Sequence, residues 1–349
     1  VNVILPGLTS LLAFIFALAL FDQWRERRGG FQLVWAVGML FFGIASGTET
    51  IGAIYGWSEL LYRAWYLFGA VFTAAWLGLG TALLLNRTRF GYTYGILVLL
   101  GGMIALAAGR HYPDAGDLAL LIALVAIIFG LAVTVETYFQ NERWPLIAAL
   151  GVVVGSVAAA LAAFSLPLVG SGLTVGPITG VPTPDAAPGA ERLISLVLNI
   201  SGGLALVLGA LFSAYVFMPK RRVLDYSLDA GQSGDSFLFN LFIAPVAIAV
   251  NFLASLPATI SALLGRRIHS RVPATLLIAI GGLVASATDT LARLGSSDLF
   301  QLGKFIGVLL IFLGFLVSVE AFAEVRVPFT KRVLRGRRHE AAGAPTASD

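Results

Sequence analysis

Runs of about twenty apolar residues recur along the whole chain, each long enough to cross the hydrocarbon core of a bilayer as one helix. They fall at about 5–21, 32–54, 61–85, 91–109, 117–139, 145–167, 192–217, 273–292 and 300–324, with a further apolar stretch at 237–264. This feature narrows the fold more than any other. A backbone in lipid must satisfy its own polar groups, and only helices or closed barrels do so. Hydrophobic residues reach 58% and charged residues only 12%, against about 45–50% and about 25% in soluble domains. That surplus of apolar surface could not be hidden in a water-soluble fold. The expected fold class is all-α: a polytopic transmembrane helical bundle of about nine spans.

Basic residues set the expected orientation. Arg25-Glu26-Arg27-Arg28, Asn86-Arg87-Thr88-Arg89, Asn141-Glu142-Arg143 and Lys220-Arg221-Arg222 occupy alternate connections. The intervening turns are Tyr55 to Glu59, His111 to Asp117, the Gly/Pro-rich Val169 to Ala190, and Gly295 to Asp298. Lys and Arg favour the cytoplasmic side of short loops, which places the N-terminus outside and the C-terminal tail in the cytoplasm of a cell-membrane protein. The first apolar run is followed rather than preceded by arginines, the reverse of a cleavable signal peptide, so it reads as a spanning helix.

The stretch 237–264 decides the count, because Lys220 to Arg222 precede it and Arg266, Arg267 and Arg271 follow it. Leaving it out keeps roughly 18 of the 23 basic residues cytoplasmic, and counting it lowers that to roughly 10. Pro245, Asn251 and Pro257 interrupt the run, which suits a broken, re-entrant or interfacial segment. Residues 1–325 thus form one transmembrane domain, and 326–349 a basic, then disordered, cytoplasmic tail.

The chain also echoes itself. Ala45-Ser46-Gly47-Thr48-Glu49-Thr50-Ile51 returns as Ala285-Ser286-Ala287-Thr288-Asp289-Thr290-Leu291. Gly101-Gly102-Met103-Ile104-Ala105 resembles Gly281-Gly282-Leu283-Val284-Ala285, and Gly130 to Glu136 resembles Gly314 to Glu320. Because polar positions match as well as apolar ones, the expectation is an internal repeat. One leading helix (5–21) is followed by four helical hairpins at 32–85, 91–139, 145–217 and 273–324.

Ionisable residues inside spans cost about 2.5–3.5 kcal/mol each at mid-membrane on insertion scales, so each calls for a partner or a role. Glu49 and Asp289 hold equivalent repeat positions, flanked by Thr48 and Thr50 and by Thr288 and Thr290, whose hydroxyls could donate to a carboxylate. Arg63 and Lys304 lie on the returning helices near the same level. Two readings stay open. In one, each hairpin closes its own ion pair, Glu49 with Arg63 and Asp289 with Lys304. In the other, both carboxylates face a polar cavity open to the outside and bind a cation, a proton or a polar substrate. Glu136 and Glu320 match each other near the cytoplasmic helix ends and suit either snorkelling to headgroup water or an inner-side gate.

No Walker loop, zinc-protease motif or nucleophile elbow occurs, and the chain contains no cysteine. The expectation is therefore no enzyme activity, no metal site, no cofactor and no nucleic-acid partner. The basic face and tail are expected to meet anionic headgroups. The function that fits this pattern is a small-solute or ion permease with outward-facing intramembrane carboxylates. The alternative is a non-transporting scaffold, anchor or sensory subunit that binds a membrane-protein partner.

Overall fold

The computed structural model describes residues 2–139, 143–170, 173–176, 180–225, 234–265, 268–293, 299–318, 325–326 and 333–335; for 234–242, 288–293 and the two final segments, only the backbone is described. Ten long helices follow one another among the described residues: α1 (Ile4–Arg27), α2 (Gly30–Tyr55), α3 (Glu59–Leu84), α4 (Phe90–Ala108), α5 (Leu118–Tyr138), α6 (Trp144–Ser165), α7 (Gly189–Phe217), α8 (Gly234–Leu264), α9 (Arg271–Arg293) and α10 (Phe300–Val317). Among the described residues, nine stretches are long and apolar enough to cross a membrane: α1 to α7, Ile243–Leu264 within α8, and α10. The apolar part of α9, Arg271–Ala287, is shorter. The chain is a multi-pass integral membrane protein of the all-α class. Beyond α10, Val325–Arg326 pairs antiparallel with Val333–Arg335.

Helix ends gather into two layers. At one, which we call the basic end, the Trp144 indole donates to the Asn86 carbonyl at 3.2 Å and Arg89 donates to the Thr137 carbonyl at 3.0 Å. There α1 stops because Arg28 turns left-handed (φ 56°), returns its N–H to the Trp24 carbonyl at 2.7 Å and lays its guanidinium over the Trp24 ring. At the other, the loop end, the described parts of the 166–188 connection pack against the bundle, with Val181, Ala186 and Ala187 buried. Trp57 donates to the Gly180 carbonyl at 3.1 Å, and Asp114 accepts the Gly189 N–H at 2.6 Å, satisfying an orphan donor at the start of α7.

Two apolar cores share α7. One joins α3, α4, α6 and α7 around Tyr94, Trp144, Val71 and Leu198. The second joins α1, α2, α9 and α10 around Phe16, Met39, Ile278 and Phe315, with Leu206 and Ala210 of α7 closing it. Where α3 crosses α7 the backbones touch: a Cβ at Gly202 would lie 2.3 Å from the Ala74 carbonyl oxygen, and one at Gly78 would lie 2.3 Å from that of Gly202. Without a hydrophobic drive between helices in lipid, such approaches supply the van der Waals contact that holds them.

The hairpins α4–α5 and α9–α10 pack through corresponding contacts. A Cβ at Gly130 would meet the Gly95 oxygen and Leu99 nitrogen; one at Gly314 would meet the Ala274 oxygen and Ile278 nitrogen. Gly102 faces Ala123 and Ile127, as Gly281 faces Gly307 and Ile311. The contacts therefore pair Gly102, not Gly101, with Gly281, one residue away from the sequence match. Ala45 of α2 touches Gly69 of α3, just as Ala285 touches Gly307.

The break expected within 237–264 is not there. α8 is one continuous 31-residue helix with Pro245 and Pro257 inside it. Each proline removes one backbone donor. In an apolar setting neighbouring groups and small local adjustments absorb that loss, so the helix persists.

Candidate functional site

Glu49 points inward from α2, about a turn and a half before that helix ends, and is 2% exposed. Three donors from two other helices converge on it. The Lys304 ammonium sits 2.5 Å from Oε1, the Trp65 indole N–H donates to Oε1 at 2.8 Å, and the Gln301 amide donates to Oε2 at 3.1 Å. Gln301 and Lys304 are three apart on α10 and so share a face, while Trp65 reaches across from α3. Low dielectric strengthens such a charge-assisted cluster and equally penalises the loss of any member.

The expected pairing of Glu49 with Arg63 is therefore corrected: Lys304 of the last hairpin holds Glu49 of the first, while the expected pairing of Asp289 with Lys304 falls on a side chain outside the described residues. Arg63 points elsewhere. Its guanidinium makes two bonds to Glu59 Oε1, at 2.6 and 3.0 Å, one turn earlier on α3. It also donates to the Ala163 and Leu166 carbonyls at the end of α6. The cause is rotation: residues 63 and 65 lie about 200° apart on a helix, so only one can face α2. Arg63 instead meets the orphan carbonyls and negative dipole end of α6, where a cation is favoured.

The threonines do not serve the carboxylate. Thr48 donates to the Ala45 carbonyl at 2.6 Å and Thr50 to the Ser46 carbonyl at 3.2 Å, because in an apolar helix the carbonyl one turn back is the nearest acceptor. The side chains of Thr288, Asp289 and Thr290, and the whole of Glu320, lie outside the described residues. Glu136 is half-buried at the basic end, with Oε2 withdrawn from solvent.

Glu49 is enclosed rather than open to the loop end. The Trp57 ring packs on Gly52, where a Cβ would be 2.4 Å from it, and meets Trp65 edge-on at 5.9 Å. The 166–188 loop pins that ring through Gly180. A void of about 210 Å³ lies elsewhere, between α4, α5, α6 and α7, with an apolar lining that includes Val98, Phe129, Gly151 and Leu198. Among the described residues no group of three metal-ligating side chains converges.

Sequence reasoning missed a second polar region. Glu191, Ser195 and Asn199 are spaced by four along α7, a polar stripe that this periodicity could have revealed. Glu191 is 2% exposed, within electrostatic reach of Arg63, and its Oε1 has no hydrogen-bond partner among the described residues. Ser195 donates to the Ala70 carbonyl at 2.8 Å, and Asn199 donates to the same oxygen. Ala70 belongs to a π-helical segment, Tyr66–Thr73, that interrupts α3 one residue after Trp65. Wide turns of this kind cluster at functional sites. We predict that Ser195→Ala with Asn199→Leu strips that carbonyl of its donors and destabilises the protein by about 1–3 kcal/mol, read by reversible unfolding in mixed micelles.

Compared with known protein families, characterised proteins and solved structures, the chain matches none.

Proposed function

We propose that the chain is a small-solute or ion permease, held here with its outer side shut, and that Glu49 and Lys304 form the outer latch. One observation carries this reading: a buried ion pair joins the first hairpin to the last through side chains alone, beneath an aromatic cover at the loop end. Ionisable residues inside spanning helices commonly mark substrate and ion pathways. The irregular turn of α3 and Ser195 and Asn199 of α7 lie inward of the latch and offer exchangeable donors and carbonyls to a polar solute. Transporters often build such sites from interrupted helices at repeat interfaces. The shared packing of α4–α5 and α9–α10 supports duplication of a hairpin as the origin of the bundle. In this reading the loop end faces outside and the basic end the cytoplasm, as the arginine distribution favours.

The test is flux into proteoliposomes across a panel of protons, monovalent cations and small zwitterions. Saturable uptake above protein-free vesicles is expected for one class, changed at least about tenfold by Glu49→Gln, since each 1.4 kcal/mol of lost pairing is a factor of ten in gate occupancy. Uptake equal to protein-free vesicles for every solute would overturn the reading. The alternative, a non-transporting subunit, draws on the full satisfaction of Glu49 in the closed cluster. It would instead show a stoichiometric membrane-protein partner on mild purification.

A further inference from the structure

We propose that α8 lies in the plane of the membrane face that carries Lys220, Arg221 and Arg222, with acyl chains as the occupant of its exposed apolar side and anionic headgroups on the basic segment. This inference is independent of any transport activity.

The helix is inverted relative to a soluble amphipathic helix. Asn251, Ser255 and Thr259 form a buried polar stripe facing the protein. Val246, Leu253, Ile260 and Leu264 are exposed and lie on the opposite side. The polar stripe has a defined partner, the irregular segment after α7. Asn251 Oδ1 accepts the N–H groups of Val223 and Leu224 at 2.7 and 3.0 Å, and its amide donates to the Leu224 carbonyl at 2.8 Å. Ser255 accepts the Arg221 N–H at 2.8 Å. One side chain thus satisfies three backbone groups of this segment, and a second holds the backbone of the basic triplet alongside it.

Position along the bundle excludes a parallel crossing. Asn251 lies near the middle of a helix about 46 Å long, at about 1.5 Å per residue. A spanning helix beside α7 and α9 would align its middle with theirs. Instead Ile248, Phe252 and Leu256 pack on Tyr215 and Met218, where α7 ends, and on Val272 and Leu276, where α9 begins. The chain entering α9 lies at the same level: His269 stacks on Phe217 at 4.9 Å, and the Arg271 guanidinium lies 4.4 Å from that ring. The middle of α8 is therefore level with the termini of its neighbours.

An apolar face held at that level would be costly in water, whereas the acyl boundary of a leaflet accommodates it. The charges agree, because Lys220, Arg221 and Arg222 are exposed beside the helix. Basic residues close to a membrane surface are drawn to anionic lipid.

The chain has no cysteine, so single nitroxide labels can be placed at Val246, Leu253, Ile260 and Leu264, with Leu204 on α7 as a mid-bilayer reference. The protein is reconstituted in vesicles of phosphatidylcholine and phosphatidylglycerol, and label depth is read from the ratio of oxygen to nickel-chelate collision rates. We expect all four labels to share one shallow depth, clearly less than that of Leu204. Substituting Lys220, Arg221 and Arg222 by Gln should raise nickel accessibility at Leu253 several-fold. A depth profile that peaks within α8 and reaches the Leu204 value would establish a tenth crossing and overturn the proposal. Four labels fully open to the nickel chelate would place the helix in water and overturn it too. Shielding from both quenchers would show a second copy on this face, with the same consequence.

Discussion

Lys304→Met should destabilise the protein by about 3–5 kcal/mol, the penalty of leaving a buried charge without its counter-ion. Glu49 is 2% exposed and contacted by Trp65 and Gln301, with Trp57 packed on Trp65, so little water can replace the lost ammonium. Glu49→Gln should cost a comparable amount, because it leaves the buried Lys304 ammonium without its counter-ion and, with its oxygen on Lys304 and Trp65, turns its own NH2 toward the Gln301 amide donor. The double variant Glu49→Gln with Lys304→Met should recover most of the loss, since removing both charges also removes both desolvation penalties. Reversible unfolding of all four forms in mixed micelles gives the coupling directly. Single-variant losses below about 0.5 kcal/mol would mean that the pair behaves as a solvated surface contact.

The second large effect is steric, and its control is the adjacent residue. Gly202→Leu should prevent the bundle from closing, because a Cβ there would lie 2.3 Å from the Ala74 carbonyl oxygen and 2.5 Å from the Ala75 Cα. Those obstacles are backbone atoms that cannot rotate away. The cost should exceed the usual 1–3 kcal/mol or so of overpacking a core. Gly78→Leu meets the same crossing from the other helix and should fail alike. Gly203→Leu should be tolerated, for nothing lies within 4 Å of a Cβ at that position. Yield of monodisperse protein after detergent extraction separates the outcomes, and equal yields from Gly202→Leu and Gly203→Leu would refute the described α3–α7 contact.

Spans were readable because bilayer thickness imposes a local length on each apolar run; the expected 91–109 became Phe90–Ala108, and 145–167 became Trp144–Ser165. The importance of Glu49 was readable for the same reason, since a carboxylate in such a run is costly. Its partner was not. The sequence pattern encourages pairing between neighbours in a hairpin, but the rotation of Arg63 and Trp65 around α3 assigns the donors, and three-dimensional packing brings α10 to α2. Glu191 fell between an expected loop and an expected span. It is buried together with Ala186, Ala187 and Ala190 just before it in the chain. The π-helical turn at Tyr66–Thr73 depends on donors from α7, so no local pattern announces it. In α8, the two prolines suggested an interruption that continuous helical geometry does not show.

The most direct test of the latch is a distance. Nitroxide pairs at Ile51 on α2 and Leu302 on α10 occupy exposed positions flanking Glu49 and Lys304. Double electron–electron resonance on reconstituted protein should give a single narrow distribution for the parent. A second, longer population should grow in when Glu49→Gln is added. An unchanged narrow distribution in the Glu49→Gln protein would contradict the account, because α2 and α10 would then be held together at this end by something other than that ion pair.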